Sequence, residues 1–427
     1  MTEGRTTATV AGLALTLVAV TWAMTPRVIP PAAVAERGEA LFPQFRDPNA
    51  AASLEIMQFD SRTATVVPFK VQNRKGRWTI PSQHDYPADA GDRLAQTSAA
   101  IIALKKENLH SDNAADFERC GVIDPLDPAE PSLTGRGTHV VVRGIQDEVL
   151  ADVIFGNPVA GHPGLRYVRL PNQKRIYVSE VGDLKITTAF GDWIERDLLQ
   201  VTPDEIDTVN LRNYALDRTT GVVSPGETLL LQEGKNGGWT LNGLGDHEQL
   251  NMPAVIGLMN SLATLKIAGV LPKPAGITSV LRQEVSGRAA VGAEDRADLA
   301  RKGFYLTSRG QLVSNRGEIV VRTKRGVFYT LRFGDLAPGD ETPPADTSGP
   351  PVNGKSRTMR ENRYLFIMVD FDPSAAITPG RADEGAQRVQ LLRARFAPWY
   401  YVISADRFEA LRVQRSAVVT RDDLAHH

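Results

Sequence analysis

The sequence predicts an α+β fold: two tandem duplicated domains, each mostly antiparallel sheet with helices on one face, plus an N-terminal transmembrane helix. Three observations predict it. The first residues form an uncharged apolar stretch, the body is dense in strand-like text with only a few helical patterns, and one strand–turn–strand–helix passage occurs twice at a constant spacing.

Residues 1–26 read as a signal anchor. Val10 to Met24 is fifteen residues without a charge, and the uncharged stretch widens to Thr6–Pro26, close to the length of a bilayer-spanning helix. Arg5 precedes it, Trp22 stands near its far end, and Pro26 follows. Ala33-Val34-Ala35 resembles a cleavage site, but it lies beyond Arg27, Pro30 and Pro31, far from the apolar core. An uncleaved, single-pass anchor is therefore expected, with the bulk of the chain extracytoplasmic (periplasmic). Residues 27–53 follow as a Pro/Ala-rich linker.

The first repeat spans 54–205. Leu54–Asp60 and Thr63–Gln72 read as strands, Asn73–Arg77 as a turn, and Trp78-Thr79-Ile80 as the returning strand. Asp89 is a good helix N-cap, and Ala90, Leu94, Thr97, Ile101 and Leu104 place apolar and small side chains on one helical face. The second repeat spans 206–422 and repeats the passage: Thr228–Gln232, a turn at Gly234–Gly238, Trp239-Thr240-Leu241, then Asn251 as N-cap with Pro253 in the first turn. An offset of 161 carries Trp78 onto Trp239, Leu94 onto Val255, Ile101 onto Leu262, Leu104 onto Leu265 and Lys105 onto Lys266.

A Val-rich hairpin closing on Phe-Gly also recurs, at Val140–Asn157 and Ile319–Asp335, with an offset of 178 or 179. The second copy thus carries about seventeen extra residues, placed in Leu271–Lys302. A Pro/Gly-rich insert, 336–362, and a short tail, 423–427, complete the layout. A period of this length is a whole domain with its own core, not a solenoid repeat.

Composition narrows the function. Lys plus Arg total 49 and Asp plus Glu 50, so the net charge of −1 gives no electrostatic footprint for nucleic acid. Cys120 is the only cysteine, which excludes an intramolecular disulfide and any multi-cysteine metal site.

The W-T-I/L strand before an apolar helix, the V-V-R…F-G hairpin, the pair Arg166-Tyr167-Val168 and Ile176-Tyr177-Val178-Ser179, and Trp193–Leu199 together resemble the bacterial domain-of-unknown-function family 4340. So do Gly303–Leu306, Leu331–Gly334, Arg363–Phe366 and Arg395–Ser404. The resemblance covers most of the chain after residue 54, and its motifs are structural. It implies a membrane-tethered module similar to the auxiliary proteins of gliding-motility-type ABC transport systems, with protein partners in a transport or envelope complex. It carries over no catalytic residue.

No catalytic, cofactor or metal residue is assigned from the sequence, and no cofactor is expected. His84, His110, His139, His162, His247, His426 and His427 form no metal-ligand spacing and read as surface or loop residues. The chain has no P-loop, dinucleotide fingerprint or nucleophile elbow. Asp370 and Asp372, two apart on a strand, could act as a carboxylate pair, but Asp372-Pro373 reads as a turn. Cys120 reads as a packed thiol, Trp78 and Trp239 as the same packing residue in each copy, and Pro398–Tyr401 as core closure. Arg393, Arg395, Arg407, Arg412 and Arg415 read as a solvated basic face. The expected function is a non-catalytic accessory or scaffold protein. The alternatives are ligand or polymer binding in an inter-repeat groove lined by Trp78, Trp239 or Trp399, and a hydrolase built on Asp370/Asp372.

Overall fold

The computed structural model describes residues 37–89, 91–182, 184, 186–217, 222–234, 236–281, 291–307, 310–338, 362–375 and 382–421. The predicted anchor, the C-terminal tail and nearly all of the Pro/Gly-rich insert lie outside these residues. Among the described residues no helix is long and apolar enough to cross a membrane. The fold is α+β, with antiparallel sheets and few helices.

The chain divides into two compact units. One joins the described residues up to Phe69 with Leu94–Ile186, and the other joins Lys70–Arg93 with the described residues from Thr187 onward.

A nine-stranded sheet is built from β1 (Ser53–Asp60), β2 (Thr65–Arg74), β3 (Arg77–Ile80), β4 (Tyr86–Pro87), β5 (Asn108–Ser111), β6 (Thr138–Arg143), β7 (Val149–Pro158), β8 (Leu165–Arg169) and β9 (Ile176–Glu180). Its order is β4-β3-β2-β1-β6-β7-β8-β9-β5. Helix α1 (Gly91–Ile102) lies between β4 and β5, and the short α2 (Phe117–Cys120) follows β5. α1 buries Leu94, Thr97, Ser98 and Ile101, the face its apolar spacing predicts.

The eight-stranded sheet uses β10 (Ile206–Leu216), β11 (Val223–Glu233), β12 (Trp239–Leu241), β14 (Gly269–Pro272), β17 (Glu318–Thr323), β18 (Val327–Leu336), β19 (Arg363–Phe371) and β20 (Trp399–Ile403), in the order β12-β11-β10-β17-β18-β19-β20-β14. Two small ribbons accompany it: β13 (Glu248–Leu250) with β21 (Val419–Arg421), and β15 (Phe304–Leu306) with β16 (Leu312–Ser314). Its helices are α3 (Met252–Ala263), α4 (Ala275–Leu281), α5 (Ala293–Arg301), α6 (Ala382–Phe396), α7 (Ala405–Leu411) and α8 (Arg415–Val418).

Position for position, β3-β2-β1-β6-β7-β8-β9-β5 and β12-β11-β10-β17-β18-β19-β20-β14 are the same strand order. The approach to each sheet is alike as well. Leu41 donates its N–H to the Leu104 carbonyl at 2.8 Å, and Leu198 donates to Leu265 at 2.9 Å. Lys105 bridges Ala40 just as Lys266 bridges Asp197. The first approach falls in the stretch read as linker, yet Leu41 and Phe45 are buried there.

The second sheet corrects the expectation of helices on one face. Successive strand residues point to opposite faces. Tyr400 clusters with Ile277 of α4 and Leu299 of α5, whereas Tyr401 meets Phe396 of α6 with ring centroids 5.7 Å apart. After Leu271 come α4 and α5, and these cover the second face. Asn251 also departs from its predicted role. It occupies the N-cap of α3, but its side-chain amide donates to the Ala417 carbonyl instead of capping the helix.

Candidate functional site

The cover made by the insert leaves a cavity of about 420 Å³ above the second sheet, within the usual range of roughly 300–1,000 Å³ for small-ligand sites. Its floor is one row across four adjacent strands: Arg212 pairs with Glu318, Glu318 with Arg332, and Arg332 with Phe366. Aliphatic side chains from α4, α5, β15 and β16 supply the walls, among them Ile277, Leu281, Leu299, Leu306 and Leu312.

The floor is charged and mostly buried. Glu318 Oε1 accepts from Arg212 Nη1 at 3.1 Å, and its Oε2 lies 2.9 Å from Arg332 Nε, off the hydrogen-bonding direction. Arg332 Nη1 donates to the Met368 thioether at 3.1 Å, a weak acceptor. Among the described residues, Arg332 Nη2 has no hydrogen-bond partner. Glu318 is the one acidic group among the described lining residues, against two guanidinium groups.

The corresponding row of the first sheet runs Met57–His139–Ile154–Arg169, so His139 stands where Glu318 stands. This histidine is not the surface residue its sequence context suggests. It is buried, with Nδ1 3.2 Å from Asp124 and Nε2 2.7 Å from Asp152. Burial works against a charged ring, but the two carboxylates outweigh it and push the pKa up to about 9. Asp124 arrives on a loop that Arg136 holds through the carbonyls of Asp124, Pro125, Asp127, Glu130 and Ser132. Arg169 is likewise sealed, donating to the carbonyls of Val122, Pro171 and Gln173. Both cations in this row are satisfied by the protein itself.

The remaining sequence candidates do not converge. Asp370 pairs with Arg393 at 2.9 Å, while Asp372 accepts from the Ser374 N–H and hydroxyl. Those Ser374 bonds hold the Asp372 carboxyl below its usual range, as in a turn-starting aspartate. Cys120 is a buried free thiol, and burial pushes its pKa up, away from thiolate character. His84, His110, His162 and His247 are exposed, and no metal-binding cluster occurs among the described residues.

The basic run is partly solvated, with Arg412 exposed, and partly engaged by the protein. Arg395 donates to the carbonyls of Glu195 and Asp197, Arg412 lies over Phe408, and Arg415 pairs with Glu248. Trp78 and Trp239 are both half-buried. Trp399 packs edge-on against Tyr86 and lines a wider, polar cleft of about 880 Å³ with Arg74, Asp85 and Arg395; the other two tryptophans do not line it.

Sequence reasoning missed Lys273, whose ammonium is enclosed, donates to the Phe396 carbonyl at 3.0 Å and lies 3.8 Å from the centre of the Phe366 ring. Burial pulls its pKa well below the ordinary lysine range. It also missed Glu318 and Arg332, because each sits in a strand whose neighbours read as plain sheet text.

Residues 78–280 match a family model, DUF4340, described as a domain of unknown function. The DUF4340 match begins at Trp78 in β3 and ends within α4, so it takes in part of each sheet. No curated protein and no solved structure matches the chain.

Proposed function

We propose that the chain is a non-catalytic, membrane-anchored extracytoplasmic accessory or scaffold protein of an ABC-type transport or cell-envelope complex, built from two copies of one duplicated module. The observation that carries this reading is the common strand order of the two sheets, together with the matching backbone bonds at their entrances. Duplicating a sheet multiplies surface and rigidity, which a scaffold needs, while the rows of buried charge have diverged from one sheet to the other. The uncharged stretch at Thr6–Pro26 supports the anchor, and the resemblance to auxiliary proteins of gliding-motility-type transport systems supports the partner class.

Affinity capture of the full chain from its own membranes in mild detergent tests the proposal. The expected result is stoichiometric recovery of a permease and a P-loop ATPase. Recovery of the chain alone under conditions that preserve membrane complexes contradicts it.

A second reading, ligand binding, is favoured by one observation: the cavity above the second sheet combines aliphatic walls with an incompletely satisfied guanidinium.

A further inference from the structure

We propose that this cavity binds an aliphatic carboxylate, with the carboxylate on Arg332 and the tail among the side chains of α4, α5, β15 and β16. The proposal rests on the ligand-binding reading and names the class of ligand.

Charge selects the head group. Arginine stays protonated at any physiological pH, so two guanidinium groups against one carboxylate leave the floor with one surplus positive charge. That surplus admits one anionic group and disfavours a cation. The open hydrogen-bonding position on Arg332 selects further. A wholly apolar ligand would displace water from Nη2 and leave this donor unpaired in a low-dielectric site, at a substantial cost. A carboxylate accepts from it in the charge-assisted geometry that guanidinium favours.

The walls select the rest of the molecule. Ile277, Val280, Leu281, Leu299, Leu306 and Leu312 offer dispersion contacts and no hydrogen bonds from their side chains. A small inorganic anion would leave them uncovered, and an elongated aliphatic body covers them.

The first sheet shows how the same row is completed from within. There the covering loop brings Asp124 onto the charged His139, and Asp152 reaches it from the neighbouring strand. In the second sheet the cover is α4 and α5, and the described residues from these helices that line the cavity are all apolar. The first cover supplies its own carboxylate; the second leaves that place to a ligand.

Decanoate, 1-decanol and decylamine, titrated calorimetrically into the full-length chain held in amphipol, test the assignment. Decanoate is expected to bind at one site per chain, with decanol and decylamine each weaker by about tenfold or more, the equivalent of one charge-assisted contact. Arg332→Met is expected to bring decanoate down to the affinity of decanol, and Val280→Trp to remove binding of both by filling the cavity. The same variants in the same amphipol separate binding from partitioning.

Equal affinity of the wild-type chain for decanoate and decanol would overturn the carboxylate assignment while leaving a ligand pocket. Absence of binding by all three compounds would overturn the pocket as well. Undiminished decanoate binding by Val280→Trp would place the site elsewhere and overturn the proposal. Should Arg332→Met fail to fold, the three-compound comparison on the wild-type chain and the Val280→Trp variant still decide the matter.

Discussion

His139 shows how much a single strand position can carry. Its raised pKa, about 9 against an unfolded value near 6.5, links folding to pH. A group whose folded pKa is raised contributes stability that is fully present below the unfolded pKa and disappears as pH rises through the folded one. The stability advantage of the wild-type chain over His139→Gln is therefore expected to be greatest below about pH 6.5 and to fall away by pH 9 to 10. Denaturant unfolding across that range measures it, and an advantage that grows with pH would refute the assignment of charge.

Arg136 acts on the same histidine at one remove, because its carbonyl contacts hold the loop that delivers Asp124. Lysine cannot reproduce that planar set of donors. Arg136→Lys is expected to cost about 1–3 kcal/mol and to lower the His139 pKa, seen by NMR titration of the ring. A destabilised variant with an unchanged His139 pKa would show that the clamp does not position Asp124. None of this was legible in the sequence, where His139 is one of seven scattered histidines and its partners lie 15 and 13 residues away.

At the scale of elements, the two Phe-Gly strand endings were legible as a recurring pattern, but their physical reason was not. A Cβ at Gly156 would land on the Cys120 carbonyl oxygen, and one at Gly334 on that of Lys302. Each glycine thus lets the backbone of the covering segment lie directly against the sheet. Gly156→Ala and Gly334→Ala are each expected to destabilise by about 1–3 kcal/mol, as overpacking does. Chemical denaturation reads this directly, and a neutral result at either site would remove the argument from close approach.

The helices were legible because apolar spacing reports burial, as α1 and α3 bear out. The entrance segments were not. Leu41 and Leu198 are held by backbone bonds to Leu104 and Leu265, which constrain side-chain identity weakly. Residues around Leu41 consequently read as linker, and those around Leu198 as the end of the preceding repeat.

For the whole molecule, the α+β class and the alternation of hairpins and helices followed from periodicity. Which face the insert covers did not follow, since residue spacing within α4 and α5 says nothing about the side of the sheet they meet. The cavity is a consequence of that placement. Its charged floor comes from residues far apart in the chain, Arg212, Glu318 and Arg332, that only strand pairing brings into one row. One sheet plan, covered in two different ways, thereby yields a sealed charge cluster in one sheet and a lined cavity in the other.

That plan depends on register, and paired cysteines test register most directly. Glu55 faces Val141 across β1 and β6, and Asn210 faces Val320 at the corresponding place across β10 and β17. In a Cys120→Ala background, Glu55→Cys with Val141→Cys and Asn210→Cys with Val320→Cys are both expected to form disulfides on mild oxidation, since directly opposed positions lie within bridging distance. Pairs displaced by one residue, Glu55→Cys with Val140→Cys and Asn210→Cys with Ile319→Cys, point to opposite faces and are expected to remain reduced. Closure of the displaced pair in one sheet but not the other would mean that the two sheets differ in register, contradicting a single plan used twice.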